Sequence, residues 1–498
     1  VSPLMTELRH LLDAAALAFA GTTRGQEIAA VRARLDEPMR IAIAGRVKAG
    51  KSTLLNALVG AELAPTDAGE CTRVVTWYRE GPAPRVLVQP HGGEPLPAAY
   101  RRENGALQVD LAGRSAEDVE RILVDWPSAA LRPFALIDTP GIDSVHEGVS
   151  RRTARALGAG GRAGVADAVV YLLRHVHSAD LNFLEAFSAD RSTAPSPVHC
   201  VGVLSRADEV GAGRLDAMES GIRVAERYRR DPRLRGLCST VLPVSALLAQ
   251  GGATFTEDDA AALAALAGAD RTVVDDLLLD ATTFAGPTPA DPGGVGPQVR
   301  RHLLDRIGVF GVRLALHLLR EGRARGATEL GRALVRASGL DDLRQVLLNR
   351  LAPRRDLLKA RAALRALDDL LREHPEDPAV QALAARLEAL TAGAHELAEA
   401  GLLSVLRRAE LDLSDGEIDA AERVLGAHGP DHTARLGLDP WSAPQVVAAA
   451  ARAELERWQR RSESPFAGPD TVRAARILVR SCEAVTRQAE QAHAAGAG

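Results

Sequence analysis

Gly45-Arg46-Val47-Lys48-Ala49-Gly50-Lys51-Ser52-Thr53 reads G-x-x-x-x-G-K-S. An apolar run, Met39 to Ala44, leads into it, and an amphipathic run with Leu54, Leu55, Ala57, Leu58 and Val59 leads out. Strand, tight loop and helix in that order form a phosphate cradle. The glycines let backbone N–H groups close around phosphate oxygens, and the helix N-terminus adds partial positive charge. Lys51 is expected to reach the outer phosphates and the Ser52 hydroxyl to hold Mg²⁺. Composition points the same way. The lysines of the chain are Lys48, Lys51 and Lys359, and its other strongly basic side chains are arginine. Two of these lysines lie in the loop, where a compact ammonium does what a guanidinium fork does poorly.

At 498 residues the chain is expected to form two or three units rather than one core. Its formal charge is −4, with 61 Lys+Arg against 65 Asp+Glu, so nothing points to a nucleic-acid partner. Cys71, Cys200, Cys238 and Cys482 are scattered without ligand spacing, which suits a reducing compartment and argues against a zinc site. The first residues, with Glu7, Arg9, His10 and Asp13, are not expected to be a signal peptide. No apolar run is long enough for a bilayer span.

Downstream of the loop, Pro65 to Arg73 is polar and turn-rich and precedes a strand, Val74 to Tyr78. A threonine there is where GTPases grip Mg²⁺ and sense the third phosphate. Thr72, which abuts the strand, fits better than Thr66. Phe134-Ala-Leu-Ile-Asp138-Thr139-Pro140-Gly141 is a buried strand carrying an aspartate to the C-terminal edge of a sheet. Asp138 is expected to hold Mg²⁺ through water, and the Gly141 amide to meet the third phosphate. Further strands, Ala166 to Leu173 and Pro197 to Leu204, lead to Ser205-Arg206-Ala207-Asp208. GTPases commonly carry [N/T]-K-x-D at this point, where the aspartate accepts hydrogen bonds from the guanine ring N–H and exocyclic amine. Here Arg206 stands in for lysine, and its stem is expected to lie along the base. Ser205 stands in for Asn or Thr. Ser239 to Val244 leads to Ser245-Ala246, the usual position of a backbone contact to the guanine oxygen.

Leu4, Leu8, Leu11, Leu12, Ala15 and Phe19 keep helical spacing, so residues 1–36 are expected to form helices that join a C-terminal bundle. Residues 37–325 are expected to form an α/β nucleotide domain with a doubly wound, mostly parallel sheet and a helical insertion at about 247–298. Val309 to Leu319 is expected to cover the last strand. Residues 326–498 read as an all-α bundle, with a seam at Leu357, Leu364 and Leu371 and another from Val380 to Leu397. Arg344, Arg350, Arg354, Arg355, Lys359, Arg361 and Arg365, against Asp356 alone, are a candidate face for an anionic membrane. The loop with Leu436, Leu438 and Trp441 is a rival lipid contact.

The loop, the switch threonine, D-T-P-G, S-R-A-D and a bundle fed by both chain ends resemble the dynamin superfamily. Asp125-Trp126-Pro127-Ser128 strengthens the resemblance, since dynamins have a similar W-P-S before the D-T-P-G strand. The long gap from Lys51 to Asp138 does too. More narrowly, Ala64-Pro65-Thr66-Asp67-Ala68, Ser205-Arg206-Ala207-Asp208-Glu209 and Arg435-Leu436-Gly437-Leu438-Asp439-Pro440 resemble the actinobacterial isoniazid-inducible dynamin-like proteins. The resemblance implies hydrolysis of GTP to GDP, pairing of GTPase domains and remodelling of a membrane. It also implies a cytoplasmic protein, peripheral at the inner face of the plasma membrane. The chain departs from eukaryotic dynamins at Val47, where they have a glutamine that helps place water. Lys48 is expected to stabilise charge on the phosphates, whereas Val47 cannot orient water. No lipid-binding module or proline-rich tail is expected. The alternative reading is a switch-type regulatory GTPase whose bundle binds a protein. A P-loop ATPase or kinase ranks third, because neither supplies D-T-P-G followed by S-R-A-D.

Overall fold

The computed structural model describes residues 2–65, 74–103, 106–111, 113–139, 166–188, 197–372, 376–408 and 411–496. Among them, nine strands form one sheet in the order β11-β10-β9-β1-β8-β2-β7-β3-β4. In chain order these are β1 (Met39–Gly45), β2 (Thr76–Glu80), β3 (Arg85–Pro90), β4 (Leu96–Pro97), β7 (Val119–Trp126), β8 (Phe134–Asp138), β9 (Ala168–Leu173), β10 (Cys200–Ser205) and β11 (Thr240–Val244). β5 (Tyr100–Glu103) and β6 (Ala106–Val109) make a separate ribbon. The strands β11, β10, β9, β1 and β8 are parallel. β2 turns antiparallel to β8, and β3 antiparallel to β7.

β1 is buried along its whole length, as a strand covered on both faces must be. Met39, Ile41 and Ile43 pack on one side with Leu54, Leu55 and Leu58 of α3 (Lys51–Val59). Ala42 and Ala44 face the other side with Phe183, Leu184 and Phe187 of α4 (Ser178–Ser188). Register places Ile43 beside Asp138 and Gly45 beside Leu172. The C-terminal ends of the parallel strands therefore share one edge.

The helix expected over β11 lies elsewhere. β10 is followed by α5 (Ala217–Arg230) and α6 (Pro232–Arg235), and α5 packs on β11. Then come α7 (Ala246–Ala253), α8 (Glu257–Gly268), α9 (Arg271–Leu277), α10 (Ala281–Ala285), α11 (Pro297–Arg320), α12 (Gly326–Ala337) and α13 (Leu340–Val346). Leu263, Leu266 and Phe284 need an apolar partner, and Leu303, Ile307, Phe310 and Leu316 of α11 provide it in a core of their own. Leu330 and Leu334 of α12 join that core, and α13 packs on β11 and α3. Residues 326–346 thus pack with the α/β part, and the helical region proper begins beyond them.

That region holds α14 (Arg355–Arg372), α15 (Pro378–Gly393), α16 (His395–Arg407), α17 (Asp415–Val424), α18 (His432–Leu436), α19 (Pro444–Ser462) and α20 (Pro469–Gly496). The N-terminal helices α1 (Pro3–Ala18) and α2 (Thr23–Arg34) share one core with α14 and α15, through Leu8, Leu12, Ile28, Leu364, Leu367 and Leu383. The remaining helices form a second group around the fully buried Trp458. No helix among the described residues is long and apolar enough to cross a membrane.

The basic stretch is not a surface. Lys359 and Arg361 are buried, and burial pushes the Arg354 guanidinium down to about 10. Arg354 donates to the carbonyls of Leu425 and Gly426, and Arg344 to that of Ala57 at 3.0 Å. Lys359 donates to the carbonyls of Arg34, Leu35 and Glu37. Its charge sits against the last carbonyls of α2, where a cation is favoured. Of the stretch only Arg355 is exposed. The rival loop is split: Leu436 packs against Val447, Ala451 and Val485, whereas Trp441 is 94% exposed.

Candidate functional site

Gly45 takes φ 148°, and a Cβ there would meet the Leu172 carbonyl oxygen at 2.8 Å, so only glycine lets β1 and β9 close up beneath the loop. Gly50 at φ 94° begins α3 with no side-chain cap, which leaves the first N–H groups of the helix for a ligand. Arg46, Val47 and Lys48 are exposed, and Ala49, Gly50, Lys51, Ser52 and Thr53 are half-buried. Lys51 Nζ donates to the carbonyls of Gly45 at 3.1 Å and Arg46 at 2.9 Å, folding back over the loop it serves.

Ser52 Oγ donates to Asp138 Oδ2 at 3.1 Å, so the loop and the D-T-P-G strand meet as the sequence requires. The other oxygen of Asp138, Oδ1, is buried and has no hydrogen-bond partner among the described residues. Burial pushes this carboxyl up to about 6, against the pull of Lys51 and the Ser52 hydrogen bond. A buried, unsatisfied carboxylate oxygen next to a hydroxyl is a hard-oxygen pair that suits Mg²⁺. Thr139 plays no such part: its hydroxyl donates to the Ile43 carbonyl at 2.8 Å and ties β8 to β1.

Arg206 and Lys48 both adopt positive φ, 53° and 62°. Such backbone costs of order 1–3 kcal/mol per residue and concentrates at functional sites. The two are joined, because Arg206 Nη2 donates to the Lys48 carbonyl at 3.2 Å. The stem of Arg206 thereby bridges the S-R-A-D turn and the phosphate loop. Asp208 is buried; desolvation raises its carboxyl pKa and the Ser245 hydroxyl opposes that rise. Ser205 donates to the Leu173 carbonyl at 3.2 Å, so its role here is to join β10 to β9. Ser245 caps α7 by accepting from the Leu248 N–H, and Ala246 opens that helix. Thr72, Thr66 and Gly141 lie outside the described residues.

Two features escaped the sequence reading. α11 is broken at Gly308, with φ 67° and ψ 176°, and a Cβ there would lie 3.5 Å from Asp208 Oδ2 and 3.8 Å from Leu247. The break thus brings backbone against the carboxylate expected to read the base; an isolated glycine in an otherwise helical run was the available signal. Asn56, buried on α3, accepts from the N–H groups of Leu63 and Ala64 and donates to the Ala64 carbonyl, fixing the chain just before the segment expected to carry the switch threonine. Ser128 of the W-P-S phrase donates to the Val59 carbonyl at 2.8 Å, holding the end of α3.

Residues 41–184 match the model of the Dynamin family. The chain is 39% identical over 461 residues to isoniazid-induced protein IniC of Mycobacterium tuberculosis, covering 92% of each chain. A bacterial dynamin-like protein of Nostoc punctiforme is 30% identical over 118 residues, 22% of this chain and 17% of that one. Among solved structures, one described as an oligomerised bacterial dynamin pair for long-range sensing and tethering of membranes aligns over 98% of this chain and 75% of its own. It does so at 13% identity and a TM-score of 0.29, an overlap too slight to bear on the arrangement of the parts. The motif order, the sheet and the full-length likeness to IniC agree, and the chain belongs to the dynamin family of GTPases as a homologue of IniC.

Proposed function

We propose that this chain binds GTP with Mg²⁺, hydrolyses it to GDP and phosphate, and couples turnover to pairing with a second copy at an anionic membrane surface. The observation that carries the nucleotide half is the meeting of Ser52 with Asp138, whose second oxygen is left unsatisfied, beside Lys51. Lys51 exchanges the loop carbonyls for the outer phosphates, where its charge follows the negative charge that grows in the transition state. The N–H groups of the loop from Arg46 to Thr53 line the phosphates, and Lys48 adds a second ammonium. Ser52, Asp138 and Thr72 would hold Mg²⁺, which would draw charge from the phosphate oxygens. Gly141 donates its amide to the third phosphate. Asp208 accepts from the guanine edge between the Arg206 stem and the Gly308 backbone. The membrane and pairing half is supported by membership of the dynamin family, and the proposed place of action is the inner face of the plasma membrane.

A site that pairs its buried carboxylate with ring donors rejects a base that lacks them by several orders of magnitude. Titration with labelled GDP and ADP should show that preference, and Asp208→Asn should move it toward xanthine nucleotides. Equal affinity for adenine and guanine nucleotides in the wild type overturns the assignment. Thr72→Ala should keep GDP affinity and lose turnover, since its metal contact is proposed for the triphosphate state alone. Normal turnover by that variant would pass the role to Thr66.

A further inference from the structure

Between the α/β part and the helical region lies a cavity of about 310 Å³. Arg229, Arg235, Arg350 and Arg407 line it, and Glu422 is the one carboxylate among its lining residues. Arg235 and Arg407 both spend themselves on that carboxylate, at 3.2 and 3.4 Å. Arg407 also donates to the carbonyls of Cys238 and Ser239 just ahead of β11, at 3.0 and 3.3 Å. Arg229 has an exposed partner, Glu226, at 3.4 Å. Arg350 is different. It is half-buried and pairs with no acceptor among the described residues, although Arg407 and Arg229 are its charged neighbours. His428, also on the wall, is likewise uncommitted among the described residues.

The backbone around Arg350 is unusual as well. Leu347–Leu351 widens into a π-type turn before the 3₁₀ turn Ala352–Arg354. Such turns are rare and recur at functional sites, because the extra residue re-aims a side chain. Here the re-aimed side chain carries an unpaired guanidinium toward two others. Burial, with Arg407 and Arg229 close by, lowers the pKa of Arg350, whereas Glu422 partly offsets the effect of burial at Arg407.

We propose that this cavity is an anion site for a small phosphorylated molecule, with Arg350 as its anchor. Guanidinium forks match phosphoryl oxygens bidentately, and several converging on one cavity select phosphate over a lone carboxylate. Arg229 and Arg235 come from the α/β part, and Arg350, Arg407 and His428 from the helical side, so a bound anion ties the two together. It therefore reports to the joint between the GTPase fold and the helices rather than to the nucleotide loop. The cavity is walled by both parts, and the two arms of the test below distinguish a dissolved phosphorylated solute from a lipid headgroup.

The test uses the full chain carrying Lys51→Ala, which silences the phosphate loop, with inorganic pyrophosphate as probe. Calorimetric titration should show saturable binding and a matching rise in the melting midpoint. Arg350→Ala in the same background should weaken binding by ~10-fold or more, while Arg355→Ala, which alters an exposed arginine outside the cavity, should not. Wild type saturated with GDP and Mg²⁺ gives the same comparison if Lys51→Ala fails to fold. Vesicles of phosphatidic acid in phosphatidylcholine form the second arm. Arg350-dependent binding to vesicles without binding of free pyrophosphate supports the anion site with a lipid as its source. Absence of both, or binding that Arg350→Ala leaves unchanged, overturns the proposal.

Discussion

Asp138 carries the tension of the site in a single side chain. Its carboxyl is buried with one oxygen bonded to Ser52 and the other unsatisfied, and its pKa is raised to about 6. A carboxyl raised above its ordinary 3.8 holds its proton more tightly in the folded chain than in the unfolded one. The contribution of Asp138 to the stability of metal-free protein is then fully present below that ordinary value and is lost as pH rises through about 6. Asp138→Asn never ionises. In EDTA at pH 8 it should melt ~2 °C or more above wild type, with the gap closing below pH ~6. The same substitution should weaken Mg²⁺-dependent nucleotide binding by ~10–100-fold, the usual effect of removing an outer-shell metal partner. Thermal melts and nucleotide titrations across pH check both halves, and a variant less stable than wild type in EDTA at pH 8 would contradict the burial argument. At this scale the sequence was legible where chemistry dictates residue type: Lys51, Ser52 and Asp138 converge as their spacing required. It was illegible where the same charge has two uses. A run of arginines with one lysine looks alike whether it meets lipid or caps carbonyls, and only packing shows that Lys359 ends α2 and Arg354 holds the turn at Gly426.

Among the elements, the parallel strands were readable because a strand buried on both faces is a continuous apolar run bounded by turns. The placement of α11 was not. Its periodicity fits a sheet or another helix equally well, and the deciding fact is the unmet apolar surface of α8 and α10, which the pattern of α11 alone does not show. The break at Gly308 follows from that placement, because a straight α11 would not bring backbone to Asp208. Gly308→Val forces a branched side chain into a conformation that is essentially glycine's alone, and points it at the carboxylate. The loss should fall on the base and spare the phosphates. GDP affinity should drop by ~10-fold, on the order of 1–2 kcal/mol of strain at the pocket wall, while pyrophosphate binding at the loop stays within twofold. Parallel titrations of GDP and pyrophosphate in an Arg350→Ala background, which removes the second pyrophosphate site proposed above, separate the two. Equal losses would mean that the variant disturbs the whole domain rather than the base contact.

At the scale of the molecule, the phosphate loop has Lys51 and Lys48 for charge but no side chain able to place water, since Val47 is aliphatic and 48% exposed. Electrostatic stabilisation lowers the barrier only for a nucleophile that is held in line. Something must order the segments that carry Thr72 and Gly141, and ordering them costs conformational entropy that an interface formed only with GTP would offset. A second copy is the partner proposed above. The α/β part is also built into the helices: Arg407 grips the carbonyls ahead of β11, and Arg34 of α2 pairs with Asp167 at 3.2 Å ahead of β9. Movement at the proposed GTP-dependent interface would reach the helices through these contacts. Turnover per molecule should rise with protein concentration across a hundredfold dilution series and rise further on anionic vesicles, which concentrate the protein on a surface. GDP with aluminium fluoride should favour a dimer over GDP alone in light scattering. With the basic stretch largely committed to packing, the exposed Trp441 is the remaining candidate lipid contact of the rival loop, and Trp441→Ser should reduce co-sedimentation with those vesicles while leaving turnover in solution unchanged. Constant specific activity and a monomer in every nucleotide state would favour a switch-type GTPase that waits for an activator of a different kind.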